Sequence, residues 1–151
     1  MDPDGSHNIY FYLLEHFTDF AGELGLTLKN DWMRVFQNHP DGVRGQEHFG
    51  YEQFLELWSQ PEKPDGLLVF ADVVARGAIL AIREKQLRLP EDLKLALHKN
   101  ETIDLFCPMP ATFVISSERE MARALIEQVQ KQFRGESCER ISLPFKIVAH
   151  E

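Results

Sequence analysis

The chain has 151 residues, 44% hydrophobic and 11% aromatic, which suffices for one ordinary core and most simply one domain. Its formal charge of −8 excludes a bare DNA-binding module, because such a surface repels a phosphate backbone. The two cysteines, Cys107 and Cys138, lack Cys-x-x-Cys spacing and read as reduced thiols, with neither a metal nor a disulfide framework.

Residues 1–8 show neither the basic region nor the apolar stretch of a secretory signal, and are expected to form a disordered or artificially added leader outside the fold. No apolar run approaches the ~20 residues of a membrane helix, so a cytoplasmic chain without membrane contact is expected. Residues 9–25 predict an amphipathic helix, with Tyr10, Leu13, Leu14, Phe17, Phe20, Ala21 and Leu24 at helical spacing and Gly25 as its stop. An Asn30-Asp31 turn then leads into Trp32–Phe36, a strand by composition. After loop chemistry at His39-Pro40-Asp41-Gly42, a second helix is expected over 46–60, ending before Pro61.

The central stretch, 64–97, reads as a βαβ unit. The turn Pro64-Asp65-Gly66 precedes an unbroken apolar run, Leu67 to Phe70, expected as a strand covered on both faces. Asp72 sits where a helix N-cap belongs, and Val74, Ala78, Ala81 and Ile82 recur at helical spacing after it. Pro90 stops this helix, and 93–97 reads as the next strand. Pro108 and Pro110 break the following segment. Thr112–Ile115 then forms a strand, Ser117 and Glu120 a capping box, and 117–134 a helix with Met121, Leu125, Ile126, Val129 and Phe133 on one face. A terminal strand is expected over 141–149, with Pro144 at an edge or bulge. Helices and strands in this order give an α/β three-layer sandwich with a mainly parallel sheet.

Phe70, Asp72, Ala75, Gly77-Ala78, Ala81, Arg83-Glu84, Leu87-Arg88 and Pro90-Glu91-Asp92 follow one another with a gapless spacing. In that pattern the chain resembles the effector-binding domain of LacI-type transcription regulators. Gly50-Tyr51-Glu52 upstream, and Glu120-Met121, Ala124 and Leu143-Pro144 downstream, extend the resemblance. It implies a periplasmic-binding-protein-like lobe over 9–151, chiefly the second of two lobes. Residues 112–135 would be the crossing strand and helix that belong to the first lobe. It also implies an effector held between lobes and a homodimer, with DNA reached only through a head domain absent from these residues. The dimer surface would lie along Val73, Arg76, Gly77, Leu80 and Leu89.

Small ligands of open α/β sheets sit at the carboxyl ends of strands, here near Asn38, Ala71-Asp72 and His98-Lys99-Asn100. The resemblance places a sugar-binding arginine on Leu13, an asparagine on Ala71, and an aspartate on Lys99 or Asn100. All three polar contacts are altered, so neutral sugars are expected to bind weakly. Lys99 would instead favour an anionic sugar derivative. Asp72 matches the family pattern, but a helix cap accounts for it equally well.

The six histidines form no His-x-x-x-His pattern, and Ser116-Ser117 lacks a Gly-x-Ser-x-Gly context, so neither metal, cofactor nor catalysis is expected. The reading is the effector-sensing and dimerisation part of a LacI-type regulator. Its rivals are a stand-alone dimerising module without a small ligand and a solute-binding protein.

Overall fold

The computed structural model describes residues 9–36 and 42–150. Their order is α1 (Ile9–Glu23), a 3-10 turn (Asn30–Trp32), α2 (Gly42–Ser59), β1 (Gly66–Val69), α3 (Asp72–Glu84), β2 (Lys94–Asn100), β3 (Ala111–Ser116), α4 (Glu118–Phe133) and β4 (Lys146–His150). The chain divides into two compact units, Met1–Pro40 and Asp41–Glu151. The leader expected over residues 1–8, and Asn38, lie outside the described residues.

In the first unit, α1 ends as its sequence predicts. Gly25 takes φ 70°, and the Leu26 N–H returns 2.8 Å to the Ala21 carbonyl, satisfying the last turn. The strand expected over Trp32–Phe36 does not form. Trp32 N–H donates to Lys29 O at 2.9 Å and Met33 N–H to Asn30 O at 3.1 Å, so the turn consumes donors a ladder would need. Arg34 Nη1 also donates to Asp31 O at 2.6 Å, and Lys29 Nζ sits 5.0 Å above the Trp32 ring. Strand-forming composition loses here to local turn bonding.

The second unit is built on one sheet in the order β1-β2-β3-β4, parallel except for the β3–β4 pair. The α/β class and mainly parallel sheet are as expected. Alternation along the strands sorts the side chains into two faces. One face carries Val69, Leu95 and Leu97, all buried, and α3 packs on it over β1 and β2. Val74, Ala75, Ala78, Ile79, Ala81 and Ile82 of α3 close this core with Leu93. The opposite face is more open: Leu68 and Phe70 are 41% and 37% exposed, so the apolar run of β1 is covered on one face rather than two.

Helix α2 lies against α3. Two glycines allow the approach: a Cβ on Gly77 would stand 1.8 Å from Glu47 O, and one on Gly50 2.1 Å from Val74 O. Arg76 and Glu47 pair at 3.6 Å across the contact, and Tyr51 Oη donates to Glu84. The turn after α3 is pinned by Arg88, whose Nη2 and Nε reach the two carboxylate oxygens of Asp92 at 2.8 and 3.2 Å. That bond holds the Asp92 carboxyl below its ordinary value.

Helix α2 starts at Gly42, four residues before the expected 46, and two strand boundaries shift as well. Strand β2 runs on to Asn100, three residues past the expected end, so His98, Lys99 and Asn100 lie within a strand. Strand β4 begins only at Lys146, after Pro144, which has no N–H to give a ladder. Ser117 caps α4 as predicted, its Oγ accepting from Glu120 N–H at 3.4 Å. The apolar stripe of α4 is only partly covered: none of its residues is buried, and Phe133 is 88% exposed.

Candidate functional site

The carboxyl edge of the parallel strands is assembled by register. Pairing of His98 with Val114 and of Asn100 with Ser116 places His98, Asn100 and Ser116 on the open face. Lys99 pairs with Ile115 and therefore points to the other face. There its Nζ donates to Ile103 O at 2.9 Å and stands 5.9 Å from the Phe113 ring centroid. Three neighbouring residues expected to act together are thus split by the pleat.

His98 is the centre of the cluster. It is 6% exposed and stacks on Phe70, with centroids 4.1 Å apart and planes at 14°. Phe145 meets the same ring edge-on at 5.7 Å. The Ser116 hydroxyl donates to Asn100 Oδ1 at 2.8 Å, leaving a lone pair toward His98 Nε2 at 3.2 Å. Nε2 therefore carries the ring proton, and Nδ1 is an acceptor. That Nδ1 is buried and has no hydrogen-bond partner among the described residues. Burial also holds the imidazole below the ordinary histidine value, against a smaller upward pull from Asp72, so the ring is neutral.

Ala71 and Asp72 connect this edge to α3. Helix α3 begins at Asp72 rather than after it, and Asp72 Oδ1 accepts the adjacent Val73 N–H at 2.8 Å. The N-cap position falls on Ala71, which makes no side-chain cap and holds φ 80°, ψ 126°. A non-glycine residue in that region is strained, and such strain concentrates at functional edges.

Leu13 lies in α1 of the other compact unit, and Asn38 outside the described residues. Of the residues expected at the dimer surface, Gly77 faces α2 and Leu89 is buried, while Arg76 and Leu80 are exposed and Val73 is half-buried. Phe70, Ser116 and Phe145 were not read from the sequence as site residues. Alternation carried past the end of β1 and along β3, together with their parallel register on β2, points to the first two. Phe145 follows an irregular return segment and had no such signal. Among the described residues no cluster of His, Cys, Asp and Glu can hold a metal ion.

A family model for a periplasmic binding protein-like domain matches residues 7–149. The chain belongs to this family. It is 29% identical over 126 residues to the HTH-type transcriptional repressor PurR of Pasteurella multocida, covering 83% of this chain and 36% of the relative. To the CytR repressor of Escherichia coli K12 it is 29% identical over 90 residues, covering 57% of this chain and 26% of the relative. The chain therefore spans about a third or less of the curated relatives it matches. Among solved structures it is similar to a LacI family transcription regulator from Clostridium acetobutylicum, with TM-score 0.64, 20% identity, and coverage of 86% of this chain and 48% of that one. A LacI family regulator from Arthrobacter sp. FB24, in complex with lactose, matches with TM-score 0.60 and 22% identity, over 87% of this chain and 46% of that one. The LacI-type resemblance and the periplasmic-binding-protein-like fold both stand. Among the described residues no helix is long and apolar enough to cross a membrane.

Proposed function

We propose that this chain is the effector-sensing part of a cytoplasmic, LacI-type transcription regulator, without enzymatic activity of its own. Residues 112–135 then form the crossing strand and helix. In such a regulator, effector binding shifts the population of lobe arrangements, and the shift reaches DNA through a separate head. The observation that carries this reading is the buried, unpartnered Nδ1 acceptor of His98 at the carboxyl edge of the parallel strands.

The same edge suggests the effector's chemistry. Phe70 offers a partly open ring, and His98, Ser116 and Asn100 are neutral. Lys99 is engaged on the other face, which argues against the anionic sugar derivative expected from the sequence. An uncharged small molecule fits best, with an apolar or aromatic ring face and at least one hydroxyl or N–H donor. In a thermal-shift screen of uncharged sugars, nucleosides and amino acids, at least one should raise the midpoint of the 151-residue chain saturably. Its effect should vanish in His98→Phe. No saturable shift from any of them would favour the second reading, an interaction module without a small ligand, which the partly covered stripe of α4 supports.

A further inference from the structure

A groove of about 400 Å³ lies where the chain leaves the sheet into α4 and returns into β4. Arg119 and Arg123 line it from α4 and Lys146 from the start of β4, with Glu101, Ser117 and Glu120 around them. Arg119 and Arg123 are four residues apart and share a helix face. Lys146 is paired with Ile115 on β3, which also lines the groove. None of the three cations makes a hydrogen bond or ion pair among the described residues, in a chain whose net charge is −8.

Of the carboxylates, Glu101 is engaged, accepting from the Ser117 hydroxyl at 2.8 Å. Glu120 has no side-chain partner among the described residues. The end of α4 itself attracts little, because Glu118 and Glu120 already occupy its first turn. The cations must carry any site here.

We infer that this groove binds a phosphate group, held by Arg119 and Arg123 on one side and Lys146 on the other. Two guanidinium forks offer paired N–H donors matching a tetrahedral oxyanion, and the ammonium adds a third charged contact. The volume exceeds that of a single phosphate, so it can take a diphosphate or a phosphate carried on a sugar. A bound anion would tie α4 to β4 across the junction, fixing the angle at which the helix leaves the sheet. This site is separate from the His98 cluster and does not depend on its role.

Calorimetry on the 151-residue chain tests the inference, with inorganic pyrophosphate in one arm and a hexose 6-phosphate in the other, at matched ionic strength. At least one should bind saturably below about 10 mM. Arg123→Gln and Lys146→Gln should each weaken it about tenfold, with unchanged circular dichroism. Glu120→Gln should tighten it, because it removes a facing negative charge. Amide resonances of 117–123 should shift on titration. Binding in only one arm identifies the source of the phosphate and supports the site. No saturable binding in either arm, or binding undiminished in both cation variants, overturns it.

Discussion

At the scale of single residues, His98 is a titratable ring held in a buried setting. Its burial disfavours the imidazolium, so as pH falls the unfolded chain takes up the proton first, at the ordinary value of 6.5. The stability this group protects is complete above that pH and is lost progressively as pH falls toward its lower folded value. Urea midpoints measured from pH 7.5 downward should therefore decline below about 6.5 in the native chain. In His98→Phe this part of the decline should disappear, since the ring stack with Phe70 is kept and the titrating group is gone. An unchanged pH profile would show that other groups govern the decline.

Ala71 gives a second test at this scale. Its φ of 80° costs a residue with a Cβ, and glycine enters that region freely. Ala71→Gly is expected to stabilise the chain by about 1 kcal/mol, read as a shift in denaturation midpoint. The resemblance places an asparagine at this position, and asparagine tolerates positive φ better than alanine. Ala71→Asn should recover part of the gain. A loss of stability in both variants would mean that the strain is not borne at this residue.

At the scale of elements, the α2–α3 pair decides the packing of the second unit. In an isolated helix Gly→Ala gains about 1 kcal/mol. At Gly77 the added Cβ would stand 1.8 Å from Glu47 O and 2.7 Å from Tyr51 N, both backbone atoms of α2 that cannot rotate aside. Overpacking of this kind costs about 1–3 kcal/mol or more, so Gly77→Ala should lower stability by about 2 kcal/mol. Gly22→Ala in α1 is the control, because its Cβ meets nothing within 4 Å. It should be neutral or slightly stabilising in the same denaturation experiment. Equal effects would remove the close approach as the cause.

Helices α1 and α4 were legible because residues with a physical function bound them, Gly25 and Gly135 at positive φ and Ser117 as a cap, whereas the start of α2 at Gly42 reads as loop. The four strands of the sheet were legible in existence but not in extent. Lys99 and Asn100 look like loop residues, yet ladder pairing with Ile115 and Ser116 keeps them in β2. That error of three residues is what blurred the site, since it hid which side chains share a face. The Trp32–Phe36 segment failed for the opposite reason, because residues with strand preference were spent on a local turn.

At the scale of the whole molecule, the charge and the uncovered apolar surface pull in opposite directions. The net charge of −8 keeps copies apart at long range, but salt near 0.1 M screens it beyond about 10 Å. At contact distance the stripe of α4 dominates, with Met121, Leu125, Ile126 and Val129 about half exposed and Phe133 almost fully. Completing the burial of five such side chains contributes roughly 1 kcal/mol each. A two-fold contact doubles that to about 10 kcal/mol, against an association cost of roughly 4–15 kcal/mol. At the low end of that cost a net of about 6 kcal/mol is left, which corresponds to a dimer of the 151-residue chain with a dissociation constant of roughly tens of micromolar. Light scattering at about 10–100 µM should report a dimer or larger species. A second exposed apolar side chain, Leu80 on α3, lies on the face that the family resemblance assigns to dimerisation. The two faces are separable by charge insertion: Leu125→Glu should yield a monomer if α4 makes the contact, and Leu80→Glu if α3 does. Dissociation by Leu80→Glu alone would move the interface to α3. A native chain still monomeric at about 100 µM would show that five half-open side chains do not outweigh the cost of association.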